Sequence, residues 1–364
     1  MRAGRMASYA PAVNITNAPV GRAALLAALL ATALGGQACS SPPETTLRLP
    51  APASPTPTPT PKPKPKPKPK PIHPLTGIGA PPTGPVIAVK IDNVAAARPQ
   101  VGLSRADVVY VEQAEGGLTR IVAIYSNRRP RTVAPVRSVR TSDPELLAQY
   151  GPIGLAFSGG AGGPMAAFRR SSLADGSASA HGDVYRRLGD RPAPHNLAVD
   201  LYLLAKAMPK AGGARDVGFR WAGRDARLLR ARHINRFTVQ IGGTPVNYGW
   251  DGPHHAFVQT ARGGPMRDAG GAPLATPNVL VQFCPVGVDL GDVDAAGNSA
   301  RYTHTVGHGR VLLFRDGRMI EGTWRRPRAN APTEYRDGHG APLLLRPGGA
   351  WVLLAPLGSP VQLG

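Results

Sequence analysis

The feature that most constrains the fold is a stretch near the N-terminus that cannot form a hydrophobic core. Residues 40–74 are rich in Pro, Thr, Ser and Lys, and they contain few apolar side chains. Within this stretch, residues 51–71 predict an extended polyproline II rod, in which the regularly spaced lysines point in different directions. We therefore expect 40–74 to be a disordered linker, and any folded core must come from the chain that follows it.

A short apolar run before the linker predicts an export signal. Residues 23–34 carry no charge and no proline, follow several arginines, and are too short to span a membrane. Small residues then lead to Cys39, as they do before the lipidated cysteine of a bacterial lipoprotein. We expect residues 1–39 to be a signal peptide with lipidation at Cys39, which would attach the protein to the outer side of the cell membrane. Simple secretion is the alternative.

The charge and the cysteine content limit the possible partners. The net charge of +21 favours anionic partners, such as a cell-wall polymer or an anionic lipid surface. The predicted export argues against nucleic acid, as does the lack of a zinc-finger spacing, a helix-turn-helix pattern or an aromatic platform.

If Cys39 is lipidated, Cys284 has no disulfide partner. Because Cys284 lies in an apolar, strand-like run, we expect a buried structural thiol.

The remaining chain predicts an α+β protein with two domains. Strand and helix patterns alternate in 75–212, which predicts a layered α/β-sandwich N-terminal domain. The glycine pair Gly116-Gly117 predicts a hairpin, and Asn196 is expected to cap a helix over 197–208. A connecting segment, 213–234, contains a possible basic helix. Short strands in 235–364, with a hairpin signal at Asp316-Gly317, predict a mainly antiparallel β C-terminal domain.

Several ordered sequence blocks resemble the YerB-like bacterial lipoproteins, a family of two adjoining domains without an assigned activity. The blocks lie at 88–93, 97–100, 102–110, 112–120, 135–140, 194–197, 307–309, 316–317, 322–324 and 347–351. The resemblance implies an α+β N-terminal domain, a β-rich C-terminal domain and a location in the bacterial cell envelope. It supplies no catalytic residues.

Three carboxylates and a histidine are the catalytic candidates. Glu112 and Glu115 flank the predicted hairpin, and Asp92 ends a predicted strand nearby. Such a group suits a divalent cation or the hydrolysis of a glycosidic bond, but it also suits a structural pair between a glutamate and Arg120. Residues i and i+3 of a strand point to opposite faces, so the turn must redirect one glutamate. His195 is a candidate base or ligand.

Arginines supply the candidate binding site. Arg137 and Arg140 precede a predicted helix start, where guanidinium groups and backbone N–H groups could hold a phosphate or a carboxylate. Arg120 and Asn196 are expected to join them. An internal network, in which an acidic side chain pairs with these arginines, is the alternative.

These patterns predict an exported, lipid-anchored envelope protein that binds an anionic or carbohydrate ligand or an envelope protein. One alternative is a hydrolase acting on cell-wall glycan or phosphodiester bonds, and another is a structural adaptor. The sequence favours a non-enzymatic role. It indicates no cofactor and no firm zinc site, because His254 and His255 are adjacent and the helix-spaced pair His304 and His308 lies in a glycine-rich β context.

Overall fold

A long mixed sheet, formed by strands from both halves of the chain, is the centre of the fold. The computed structural model describes residues 71–261, 264–293 and 297–364. The predicted signal peptide, Cys39 and nearly all of the linker lie outside the described residues. The described residues belong to one contact unit, Pro67–Gly364. The longest α-helix described has 8 residues, well short of the ~20 that a bilayer span needs.

The first half of the described chain mixes short helices with strands. Its strands are β1 (Ile87–Asp92), β2 (Val108–Gln113), β3 (Thr119–Tyr125), β4 (Gly154–Ala156), β5 (Ala174–Asp175), β6 (Tyr185–Arg187) and β7 (Leu197–Val199). Its α-helices are α1 (Ser142–Leu147), α2 (Gly162–Arg169) and α3 (Leu201–Ala207).

The second half consists of strands and tight turns. Its strands are β8 (Arg220–Trp221), β9 (Arg232–His233), β10 (Arg236–Ile241), β11 (Thr244–Asp251), β12 (Ala256–Ala261), β13 (Gly264–Pro265), β14 (Ala275–Thr276), β15 (Asn278–Cys284), β16 (Val286–Val293), β17 (Ser299–Thr303), β18 (Gly307–Arg315), β19 (Arg318–Arg326), β20 (Glu334–Asp337), β21 (Leu344–Leu345), β22 (Ala350–Pro356) and β23 (Val361–Leu363).

The strand order shows how the halves meet. The long sheet runs β20-β19-β18-β15-β22-β2-β3-β1-β4-β5, with β9 paired to β19. Strand β22 lies parallel to β15 on one side and parallel to β2 on the other, so the last long strand of the chain joins the two halves. A second, antiparallel sheet runs β13-β12-β11-β10-β23, with β14 paired to β12. The fold is therefore α+β, as the sequence predicts.

Alternating side chains cover both faces of the long sheet. On one face, residues such as Ile91 and Leu353 join a core with α3 and the second sheet. On the other face, residues such as Ala88 and Leu354 join a core with α1 and α2. Because apolar groups are buried on both sides, the central strands read as continuous hydrophobic runs. Cys284 is fully buried in the second core, as expected, and burial raises the pKa of its thiol to about 12.

One helix prediction is wrong at its start, and another is wrong altogether. Residues 197–199 form strand β7, and α3 begins only after Asp200, whose carboxylate accepts a hydrogen bond from Leu203 N. Asn196 therefore caps no helix. The expected basic helix in the connecting segment is a short 3-10 turn, Ala226–Arg230, followed by β9. In both places a polar side chain starts a turn, and strand pairing then replaces the predicted helix.

Candidate functional site

The ends of three neighbouring strands bring charged residues together. Asp92 on β1 and Glu112 on β2 both lie opposite Arg120 on the intervening β3. Directly opposed residues of antiparallel strands share a face, and here it is the face that packs against α1 and α2. The sequence places Asp92 in a separate block from Glu112 and Arg120, and the sheet register brings the three together.

The β2–β3 turn redirects Glu115 toward the same site. Gly116 and Gly117 adopt left-handed φ values of 62° and 72°, which a residue with a Cβ rarely takes. This tight turn lets the Glu115 carboxylate reach Arg120 Nη2 at 3.0 Å and Arg140 Nη2 at 2.5 Å. The predicted hairpin is confirmed, and Glu115 forms a buried ion pair with Arg120.

The segment after β3 carries Arg137 alongside β1. Val136 forms a bridge with Ile91, and Arg137 N donates to the carbonyl of Lys90. This backbone pairing places Arg137 Nε 3.2 Å from Asp92 Oδ2, with about a fifth of the side chain still exposed. Arg137 is thus held between a buried carboxylate and solvent.

His195 reaches the same carboxylate from the turn before β7. Its Nδ1 lies 2.7 Å from Asp92 Oδ2, and about a fifth of the side chain is exposed. Because a carboxylate only accepts hydrogen bonds, Nδ1 carries the proton and Nε2 faces away from Asp92. We call Asp92, Arg120, Arg137 and His195 the Asp92 cluster. The expected position of His195 at a helix N-terminus is wrong, since a strand follows it.

A second group of charges, which the sequence does not reveal, lies beside this cluster. Lys90 is fully buried and contacts Glu112 and Asp143, with a distance of 2.6 Å from Lys90 Nζ to Asp143 Oδ1. The other oxygen of Glu112 accepts from Ser142 Oγ at 3.1 Å. We call Lys90, Glu112 and Asp143 the Lys90 triad. The only signal for it in the sequence is a lysine within an apolar strand.

The Lys90 triad places two carboxylates around one cation. Burial raises the pKa of Glu112 to about 7, an effect that Lys90 opposes and Asp143 reinforces. Burial alone would lower the pKa of Lys90, but the attraction of Asp143 and Glu112 raises it overall. The lysine therefore stays charged, and the carboxyl of Glu112 takes up a proton more readily than that of an exposed glutamate.

Glu115 shows the opposite behaviour. Burial would raise its pKa, but hydrogen bonds and charge from Arg140, together with the charge of Arg120, lower the pKa to about 2. Burial lowers the pKa of Arg120, and the neighbouring Arg137 and Arg140 add to that effect against Asp92 and Glu115. The arginines therefore repel one another around a limited number of carboxylates.

Some buried polar atoms near the Asp92 cluster have no partner among the described residues. They are Arg98 Nε, Gln100 Oε1 and Arg120 Nε. Arg98 is oriented by a bond from Nη2 to the carbonyl of Asn93, and Gln100 Nε2 donates to the carbonyl of Asp92. Unsatisfied buried donors are uncommon in folded proteins and call for a water molecule or a ligand group.

A hairpin from the second half also reaches this region. Asp292 on β16 lies 3.4 Å from Arg140 Nε, and burial raises the pKa of its carboxyl. Arg140 therefore faces carboxylates from both halves of the chain. The sequence gives no signal for Asp292, because the contact depends on how the β16–β17 hairpin folds back.

Asn196 is the expected site residue that does not join the others. Its Oδ1 accepts from Arg187 Nη1 at 2.7 Å, and its Nδ2 donates to the carbonyl of Leu188. These bonds hold the β6–β7 turn. The structure thus brings together Asp92, Glu115, Arg120, Arg137, Arg140 and His195, places Glu112 in the adjoining Lys90 triad, and assigns Asn196 to a local turn.

Two family models match most of the folded chain. The model described as "Protein of unknown function (DUF3048) N-terminal domain" matches residues 75–214, and the model described as "Protein of unknown function (DUF3048) C-terminal domain" matches residues 237–352. A curated relative, "Putative lipoprotein YerB" of Bacillus subtilis strain 168, is 27% identical over 288 residues, which are 74% of this chain and 81% of the relative.

A solved structure shares the fold. The crystal structure of YerB protein from Bacillus subtilis matches with a TM-score of 0.67 at 23% identity, covering 80% of this chain and 100% of the other. The two family models together span more than half of the sequence. This chain belongs to the DUF3048 family of proteins of unknown function, as the YerB-like resemblance of its sequence indicates.

Proposed function

We propose that this protein is exported, anchored to the cell membrane through a lipid on Cys39, and binds an anionic group of the cell envelope at the Asp92 cluster. The name of the Bacillus relative, a lipoprotein, supports the anchor. The ligand class is a carboxylate or a phosphate, as carried by wall polymers. We also propose that residues 213–234 connect two domains and that residues 75–212 form a layered α/β-sandwich.

One observation supports the ligand class most directly. Arg120, Arg137 and His195 all converge on the single carboxylate of Asp92. Asp92 carries one negative charge and faces two guanidinium groups, so it does not neutralise both, and Arg120 also keeps a buried Nε without an acceptor among the described residues. An incoming anion would accept hydrogen bonds from the partly exposed guanidinium of Arg137, beside His195, and reduce the repulsion between the arginines.

The exposed part of the cluster defines where an anion would bind. Arg137 and His195 each keep about a fifth of the side chain in solvent, whereas Arg120 is buried behind them. Arg140 is a weaker candidate than the sequence suggests, because Glu115 and Asp292 already occupy its guanidinium. The anion site proposed here therefore centres on Arg137 and His195.

The hydrolase alternative rests on the divergent pKa values of Glu112 and Glu115. The pKa of Glu112 is raised to about 7 and that of Glu115 is lowered to about 2, which resembles the acid and the base of a glycosidase. However, both oxygens of Glu112 are hydrogen-bonded, and the side chain is almost fully buried. A substrate would have to displace those bonds, so we favour binding over hydrolysis.

The adaptor alternative rests on one exposed apolar strip. Val288 and Leu290 of β16 are 54% and 82% exposed and point the same way along the strand. If a partner protein docks there, Leu290→Asp should abolish its cross-linking to this protein in cells. Leu357→Asp changes another exposed leucine and should leave the cross-link intact. Equal cross-linking in both variants would exclude the strip.

The experiment that tests the anion site is a titration of purified full-length protein with inorganic phosphate and with polyglycerol phosphate. The double variant Arg137→Gln/His195→Asn should bind both ligands at least ~10-fold more weakly, a loss of about 1.4 kcal/mol. Arg336→Gln is the matched control, since Arg336 is a half-exposed arginine paired with Glu334 elsewhere on the surface. Unchanged affinity in the double variant would refute the site.

A further inference from the structure

A separate concave site lies in the second half of the chain and shares no residue with the Asp92 cluster. It is a cavity of about 620 Å³, within the size range of small-molecule sites. Three turns meet there: the 3-10 turn Ala226–Arg230, the β11–β12 turn and the β18–β19 turn. The cavity is lined among others by Leu228, Leu229, Trp250, His255, Asp316 and Arg346.

Trp250 supplies an aromatic wall. The indole is partly exposed and packs against Phe257, with ring centroids 5.0 Å apart. A Cβ at Gly317 would lie 2.8 Å from Trp250 Nε1, so the turn glycine allows the indole to approach. Within the described ranges Trp250 Nε1 donates no hydrogen bond, whereas the indoles of Trp221 and Trp324 both do. This N–H therefore has no acceptor among the described residues.

A fixed polar edge adjoins the aromatic wall. The Asp316 carboxylate accepts from Arg315 Nη2 at 2.7 Å and from Arg346 Nη1 at 2.9 Å. Arg315 is fully buried, so it holds the carboxylate in one orientation, while Asp316 and Arg346 remain partly exposed. His255 Nδ1 lies 3.7 Å from Asp316 Oδ1 and adds a second polar group. Such orientation by a buried neighbour is what a binding site requires.

The backbone at this edge is unusual. His255 and Asp316 both have φ of 49°, and they are the only non-glycine residues with positive φ in the described ranges. A left-handed backbone is strained for a residue with a Cβ, and both residues line the same cavity. The turns therefore present two polar side chains to the cavity in a conformation that most residues avoid.

We propose that this cavity binds the pyranose ring of a saccharide. One face of a pyranose is a patch of C–H groups that packs on an indole, and its rim carries hydroxyls that both donate and accept hydrogen bonds. Asp316 accepts, whereas Arg346 and Trp250 Nε1 donate, which matches a pair of neighbouring hydroxyls. A purely apolar ligand would shield the partly exposed side chains of Asp316 and Arg346 from water without forming hydrogen bonds to them, at a cost in affinity.

The test is a titration of purified full-length protein with two neutral probes, the trimer of N-acetylglucosamine and cellotriose. Binding is followed by calorimetry and by tryptophan fluorescence. We expect saturable binding of at least one probe, a loss of ~10-fold or more in Trp250→Leu, and a similar loss in Asp316→Asn. Asparagine tolerates positive φ, so the second variant keeps the turn. Trp221→Leu is the matched control and should bind like the wild type.

The same experiment can overturn the proposal. No saturable response to either sugar up to about 20 mM would do so, because that limit excludes even a weak site. Undiminished binding in a Trp250→Leu variant that melts like the wild type would also do so. If the sugar response disappears instead in Arg137→Gln/His195→Asn, the sugar binds at the Asp92 cluster and the Trp250 cavity is not its site. Failure of phosphate to bind at the Asp92 cluster leaves this proposal unaffected.

Discussion

His195 Nδ1 lies 2.7 Å from Asp92 Oδ2, although 103 positions separate the two residues in the sequence. The contact joins the end of β1 to the turn before β7, and Arg120 and Arg137 meet at the same carboxylate. The stability and the ligand affinity of this region should therefore both depend on Asp92.

Replacing Asp92 by asparagine should destabilise the protein and make its stability depend on phosphate. The change leaves a buried Arg120 and a half-buried Arg137 without their shared counter-ion, which should cost about 3–5 kcal/mol of unfolding free energy. Phosphate should restore part of this loss by binding the folded state, whereas chloride at equal ionic strength should not. Urea unfolding in the two salts measures the effect. A loss that phosphate does not reduce would contradict the proposed anion site.

Replacing Lys90 by methionine should cost a similar ~3–5 kcal/mol, because Glu112 and Asp143 would remain buried without a cation. Here we expect no rescue by phosphate, since all three groups are sealed from solvent. Urea unfolding of Lys90→Met and Asp92→Asn in parallel makes each variant the control for the other. Rescue of Lys90→Met would show that phosphate stabilises the protein generally rather than at one site.

The free energy of unfolding should fall at acid pH because Glu115 becomes protonated. Its pKa falls from 4.5 to about 2 on folding, so its contribution is complete above pH 4.5 and is lost as the pH falls toward 2. The contribution is on the order of 3 kcal/mol. Glu115→Gln should therefore be less stable than the wild type at pH 6, and the difference should shrink at lower pH. A constant difference from pH 6 to pH 3 would be inconsistent with this ion pair.

The contribution of Glu112 to stability should depend on pH in the opposite direction. Its pKa rises from 4.5 to about 7 on folding, so the stability it contributes is complete below pH 4.5 and is lost as the pH rises to 7. The wild type should lose stability between pH 5 and pH 7, and Glu112→Gln should show a flatter profile over that interval. Thermal melts at several pH values compare the two, and parallel profiles would exclude the shift.

Gly349 should tolerate no side chain. Its φ is 102°, and a Cβ would lie 2.4 Å from the carbonyl oxygen of Asp107 just before β2. Gly349→Ala should cost about 3 kcal/mol or more, since it combines backbone strain with a clash. Gly340 is the matched control, with φ of 80° and open space around the Cβ position, and its alanine variant should cost about 1 kcal/mol. Equal costs in urea unfolding would show that the clash relaxes.

Local features of this fold could be predicted from the sequence because they depend on a few adjacent residues. The turn at Gly116-Gly117 and the turn at Asp316-Gly317 follow from the left-handed backbone that each requires. The burial of Cys284 follows from its apolar strand. The amphipathic pattern over 197–208 correctly predicts a helix at 201–207, but pairing of β7 with β6 uses its first residues, so the helix begins later than predicted.

Long-range features could not be predicted. The contact between Asp292 and Arg140 depends on how one hairpin folds over the other half, and no local pattern encodes it. The Lys90 triad depends on sheet register and on the position of α1. The sequence shows which residues carry suitable side chains, but which of them contact one another depends on how the strands pair.

The position of β22 has a consequence for how the protein is made. Residues 350–356 are inserted between residues 108–113 and 278–284. Until they are in place, β2 and β15 each have one edge without a neighbouring strand. The chain therefore cannot finish its main sheet until residues 350–356 have been synthesised and inserted. Once it is finished, a protease cut between the halves would leave two fragments still held together.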